Sequence, residues 1–159
     1  TFTLTNDFTI ELWFYQTATA SNYNTLISKW DGGQEFFLCT ETSNVIRFGW
    51  GAYNANAATN PLLLTSSNAF LLNQWNHFAV SCSGTTLRAF LNGVQQGTSV
   101  TGNTSNLNVT AGFYVGILNS SFSPTTRTFQ GYLDDLRITK GYARYTTDFT
   151  PPTSQLQDQ

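Results

Sequence analysis

Short apolar runs alternate with clusters of Gly, Asn, Asp and Ser along the whole chain, and helical periodicity never persists for long. Runs of aromatic and β-branched residues bounded by turn formers point to strands. The pattern predicts strands over 8–16 (FTIELWFYQ), 24–29 (NTLISK), 35–40 (EFFLCT), 45–50 (VIRFGW) and 61–65 (PLLLT). Five more are predicted over 74–82 (QWNHFAVSC), 86–92 (TLRAFLN), 94–100, 113–118 (FYVGIL) and 128–139. Asp-Gly in WDGGQ (30–34) and Asn-Gly in LNGVQ (91–95) predict tight hairpin turns, because these residues accept the positive φ of a type I′ turn.

Strict alternation also assigns faces. In QWNHFAVSC, Phe78, Val80 and Cys82 face the core, which leaves the only histidine, His77, as a surface or strand-face residue. In GYLDDLRIT, Tyr132, Asp134, Leu136 and Ile138 share one face, while Leu133, Asp135, Arg137 and Thr139 share the other. The adjacent carboxylates Asp134 and Asp135 are therefore expected to diverge.

About ten strands in 159 residues suit one all-β domain of two packed sheets, expected over 1–150, with 151–159 as a polar tail or linker. Charged residues make up only 10% of the chain, against about 25% in an ordinary soluble domain. The net charge of −2 gives no long-range attraction for a phosphate backbone, so nucleic acid is not an expected partner. No apolar stretch approaches the roughly 20 residues of a membrane helix, so membrane insertion is not expected either. The opening TFTLTNDFTIELWFY carries no initiator Met, as in a segment of a longer polypeptide. Cys39 and Cys82 sit in apolar runs; two buried free thiols are favoured over one disulfide, and no zinc-type Cys/His spacing is present.

A neutral sugar is gripped by an aromatic face together with amide and hydroxyl groups. FGWGAYNANAATN supplies Trp50, Tyr53, Asn54 and Asn56, and the 119–127 segment adds Asn119, Ser121 and Arg127. These residues form the expected carbohydrate site, with a core position as the competing reading of Trp50. Trp13 and Trp75 are expected to pack inside strands. Tyr145 and Phe149 are expected to dock the C-terminal segment onto a sheet.

The order NDFTIELWFY, LISKWDGG, NQWNHFAVSCSGTTLRAFLNGVQQG and FQGYLDDLRITKGYARY resembles the laminin-G-like, concanavalin A-like jelly roll over nearly the whole chain. The sequence is most similar to modules of phage structural proteins and bacterial surface proteins. The resemblance implies a jelly-roll sandwich of two curved antiparallel sheets used for carbohydrate or protein recognition. Some enzymes sharing this sandwich carry a Glu-x-Asp-x-x-Glu strand; here Glu11, Glu35 and Glu41 form no such array. Diverging aspartates cannot flank one glycosidic bond, so no catalytic residue is expected. The resemblance allows one structural calcium, with Asp134 and Asp7 among its ligands; the competing reading gives Asp134 backbone hydrogen bonds and Asp135 an exposed partner in Arg137.

The expected function is a non-catalytic recognition module for cell-surface carbohydrate in a phage virion or tail or a bacterial surface protein, placed on a virion or at the cell exterior. The alternative is a structural decoration or spacer contacting other domains or subunits of its assembly.

Overall fold

The computed structural model describes residues 4, 7–19, 22–29, 36–50, 62–65, 69–101, 112–118 and 127–156. Ten strands appear among them: β1 (Phe8–Gln16), β2 (Tyr23–Lys29), β3 (Phe36–Glu41), β4 (Val45–Trp50), β5 (Leu62–Leu64), β6 (Trp75–Ser83), β7 (Thr86–Leu91), β8 (Val94–Thr101), β9 (Phe113–Val115) and β10 (Gly131–Lys140). They form two antiparallel five-stranded sheets, β10-β1-β6-β7-β8 and β5-β4-β3-β2-β9. The architecture is the all-β sandwich expected from the jelly-roll resemblance.

The alternation of apolar residues explains the packing. Phe8, Ile10, Leu12 and Phe14 of β1, with Phe78, Val80 and Cys82 of β6, meet Leu26, Phe36, Leu38, Ile46 and Phe48 of the opposite sheet in one core cluster. Each such side chain contributes about 1.5–3 kcal/mol by leaving water. Gln16 and Thr40, two fully buried polar residues, are paired. Thr40 donates to Gln16 Oε1 at 2.7 Å, and Gln16 Nε2 donates to the Ala18 carbonyl at 2.7 Å. Asn92 and Gly93 both have positive φ, 50° and 83°, and close the β7–β8 hairpin as their residue types require. The WDGGQ turn lies outside the described residues.

Cys39 and Cys82 are both buried and free. Burial pushes the Cys39 thiol far up, while burial with the nearby Asp7 charge pushes Cys82 to about 11. Thiolate is the reactive form, so neither thiol is nucleophilic at pH 8. A colorimetric thiol reagent at pH 8 is therefore expected to react negligibly with native protein and to find both cysteines after denaturation. Rapid reaction of one thiol in the native state would contradict this burial.

β10 departs from the alternation. Glu11 opposes Arg137 while Trp13 opposes Asp134, so one extra β10 residue is accommodated opposite Leu12. Asp135 takes up the irregularity at φ 48°, a region that Asp and Asn enter more readily than other side chains. The bulge reverses the face assignment at its position. Leu133, Leu136 and Ile138 all pack against the core, while Arg137 reaches Glu11 on the outer face. The expected grouping of Asp134 with Leu136 and Ile138 is therefore corrected, because a bulge shifts the side-chain period by one residue.

After β10 the chain turns back at Gly141, whose N–H donates to the Asp7 carbonyl at 2.7 Å, and runs across the outer face of the β10-β1-β6-β7-β8 sheet. The Arg144 N–H donates to Thr9 Oγ1 at 2.8 Å, and the Phe149 N–H donates to the Gly93 carbonyl at 2.9 Å. The Gln95 N–H donates to Asp148 Oδ1 at 2.8 Å. Tyr145 and Phe149 stack 3.6 Å apart and lie against Phe90, which confirms the expected docking of this segment. The segment acts as a strap over the sheet.

Candidate functional site

The strap divides the outer sheet face into a sealed part and an open part. Under it lies Glu11, fully buried with three kinds of partner. Arg137 donates to Glu11 Oε1 from Nε at 2.9 Å and from Nη2 at 2.7 Å. The Tyr145 hydroxyl donates to Glu11 Oε2 at 2.8 Å, and His77 Nε2 lies 3.3 Å from the same oxygen without an aligned hydrogen bond. Burial alone would raise the Glu11 pKa; the contacts with His77, Arg137 and Tyr145 outweigh it and hold the carboxyl below its ordinary value. Tyr145 is pushed up to about 12 by burial and by that carboxylate, so it stays a donor. His77 is fully buried, with Trp13 edge-on at 5.1 Å and Phe149 at 5.8 Å. Its expected surface position is corrected, because the strap covers that face. Glu11 and His77 form a structural cluster closed to solvent.

Beyond the strap the same face is open. Tyr15 sits in register between Trp75 on β6 and Tyr132 on β10. The rings meet edge-to-face at 5.7 and 5.8 Å. Trp75 is 44% exposed and Tyr132 64% exposed, so Trp75 is not the packing residue that its strand position suggested. Three aromatics in a row across three strands form a platform that the core does not use.

The neighbouring register row runs His77, Trp13 and Asp134. Here a cleft of about 360 Å³ opens, with Trp13, Trp75, Asp134 and Asp135 on the sheet side and residues 152–155 of the strap on the other. The bulge brings Asp134 and Asp135 to one cleft, correcting their expected divergence. Asp134 Oδ1 accepts the Asp135 N–H at 2.8 Å, as one reading of this residue held. Arg137, expected beside Asp135, holds Glu11. The 152–155 wall consists of Pro, Thr, Ser and Gln. No second carboxylate faces the aspartates across the cleft among the described residues, so the pair of opposed acids needed for glycoside hydrolysis is not formed there.

Most of the other expected site residues fall outside the described residues. Trp50 closes β4, and its side chain lies outside the described residues, as do Tyr53, Asn54, Asn56 and Asn119. Arg127 lies by the other sheet, its guanidinium 5.0 Å from the centre of the Tyr23 ring, which Arg47 approaches at 5.6 Å. Arg127 and Asp134 are thus not brought together. Asp7 caps the β6–β7 turn, accepting the Gly84 N–H at 2.7 Å. Asp7 precedes Phe8, whereas Asp134 opposes Trp13 far along the same strand, a separation of roughly 20 Å at 3.3 Å per residue. The two carboxylates do not fit one shared calcium, and no group of three or more His, Cys, Asp or Glu among the described residues is arranged to hold a metal.

Comparisons with known proteins agree with this fold. A laminin-G model described as the concanavalin A-like lectin/glucanases superfamily matches residues 1–144. The chain belongs to that superfamily. Among curated proteins, none matches it significantly. Of solved structures, domain 4 of AbnA, an extracellular GH43 arabinanase of Geobacillus stearothermophilus in complex with arabinotriose, is 20% identical at TM-score 0.60, over 88% of this chain and 63% of that one. Mouse laminin α1 domains LG4–5 are 15% identical at TM-score 0.66, over 96% and 43%. The CBM40 of the Ruminococcus gnavus IT-sialidase, bound to α2,3-sialyllactose, is 14% identical at TM-score 0.60, over 86% and 76%. The chain thus spans less than two thirds of the first two of these structures. At these identities the likeness establishes the laminin-G-like fold.

The aromatic platform was missed in the sequence because each of its members sits in an amphipathic strand whose other face is core. A signal was available: Leu133, Leu136 and Ile138 are spaced by three and then two residues, which betrays a bulge in β10.

Proposed function

We propose that this laminin-G-like domain is a non-catalytic glycan-binding module whose site is the Trp75–Tyr15–Tyr132 platform with the adjoining Trp13–Asp134–Asp135 cleft. The observation that carries the reading is the exposed aromatic row, aligned across three strands and bordered by a cleft with carboxylate acceptors. Sugar C–H groups stack on ring faces, and hydroxyl groups donate to carboxylates. The glycan complexes recorded for the arabinanase domain and the CBM40 domain, built on the same sandwich, support it. We place the module in a phage virion or a bacterial surface protein, where cell-surface glycan is the partner.

A glycan array with the isolated domain, extended to bacterial polysaccharides, tests the reading; running it with calcium and with EDTA reads the ion dependence. Trp75→Ala is expected to weaken binding at least tenfold, about 1.4 kcal/mol, with a stability cost of about 1 kcal/mol from the lost contact with Tyr15 that leaves the domain folded. Unchanged affinity in this variant would remove the platform from the site. A folded domain blank on the full array would favour the role of structural spacer.

A further inference from the structure

The charge of the cleft narrows the ligand class, an inference that rests on the glycan-binding reading above. Asp134 and Asp135 line the cleft together, and the facing 152–155 wall contributes no charge. The nearest cations on this sheet face are engaged under the strap: Arg137 holds Glu11 through two nitrogens, and Arg144 Nε donates to Thr139 Oγ1 at 2.7 Å. Nothing lining the cleft among the described residues offsets a second negative charge.

Ionised carboxylates only accept hydrogen bonds, which suits the hydroxyl donors of an uncharged sugar. A sugar bearing carboxylate or sulfate would bring like charge against both aspartates at short range. We infer that the site takes neutral glycans and rejects chains carrying acidic groups on the bound residue. The bulge at Asp135 is therefore a specificity device: it turns a carboxylate that strict alternation would send to the core onto the ligand side, at a φ of 48° that Asp accepts.

The test is an array printed in matched pairs, each neutral chain beside the same chain capped with sialic acid, a uronic acid or sulfate. Wild-type protein is expected to bind its preferred neutral chain at least tenfold better than the capped partner. The ratio shrinks in about 1 M salt, where the Debye length is about 3 Å. The double variant Asp134→Asn, Asp135→Asn is expected to bring the ratio close to one. Asn tolerates the positive φ, and an unchanged melting temperature confirms that the variant is folded. Equal binding within pairs, or preference for the capped chain, overturns the inference and leaves glycan binding standing. Absence of signal on every pair from folded wild-type protein removes both.

Discussion

Glu11→Gln is expected to cost about 3–5 kcal/mol at pH 7, because removing one partner of a buried ion pair strands the other. Gln retains the shape but cannot neutralise Arg137, which is only 16% exposed, and its amide cannot accept from both Arg137 and Tyr145 as the two carboxylate oxygens do. At 2–4 °C per kcal/mol for a domain of this size, the melting temperature falls by about 6–20 °C. The sign of the pH dependence follows from the depressed Glu11 pKa. An ionised carboxylate held below its unfolded value stabilises the fold fully above that value, about 4.3. The contribution is lost as pH falls through the folded pKa. The gap between wild type and Glu11→Gln should therefore be full at pH 7 and close progressively below about pH 4. Thermal melts across pH 7 to pH 2.5 check this; a gap of constant size would show that Glu11 acts by packing and not by charge.

Gly93→Ala is the second large effect, and it tests the strap. Gly93 has φ 83°, and a Cβ there would run into the carbonyl oxygen and carbon of Phe149 and the ring of Pro151. The backbone penalty alone is about 1–2 kcal/mol. The clash forces out the segment whose Phe149 N–H bonds to the Gly93 carbonyl and whose ring covers His77 and Phe90. A total cost of about 2–4 kcal/mol is expected. Release of the strap gives a second readout, since Arg144 lies at its start and becomes accessible to trypsin. Limited proteolysis should cut after Arg144 much faster in the variant than in wild type. A variant with wild-type melting temperature and cleavage rate would show that the strap does not depend on the contact at Gly93. If the strap lifts, residues 152–155 leave the cleft, so glycan affinity should fall with it.

Much of the fold was legible along the chain. All ten strands occur within a few residues of their expected positions, since alternation of apolar residues with Gly and Asn punctuation is a local signal. β9 falls furthest short of its expected span: it ends at Val115, before Gly116 turns at φ 76°. The core face of β6 followed from the same alternation, and the docking of Tyr145 and Phe149 from their aromatic character next to a pair of prolines.

The site was not legible in the same way, and the reasons are physical. A bulge depends on one residue adopting a left-handed conformation, which Asp permits without requiring, so alternation alone grouped Asp134 with the core-packed Leu136 and Ile138. Burial of Glu11 and His77 depends on a segment more than 130 residues from Glu11 in the chain folding over them. No local pattern around either residue encodes that cover. The strands and the two-sheet sandwich could be read along the chain, because they rest on short-range periodicity repeated ten times, while the family came from the resemblance of its motifs and the match over residues 1–144. Which polar residues are sealed and which aromatics face solvent emerges at the level of the folded domain, because that depends on where one distant strap crosses the sheet.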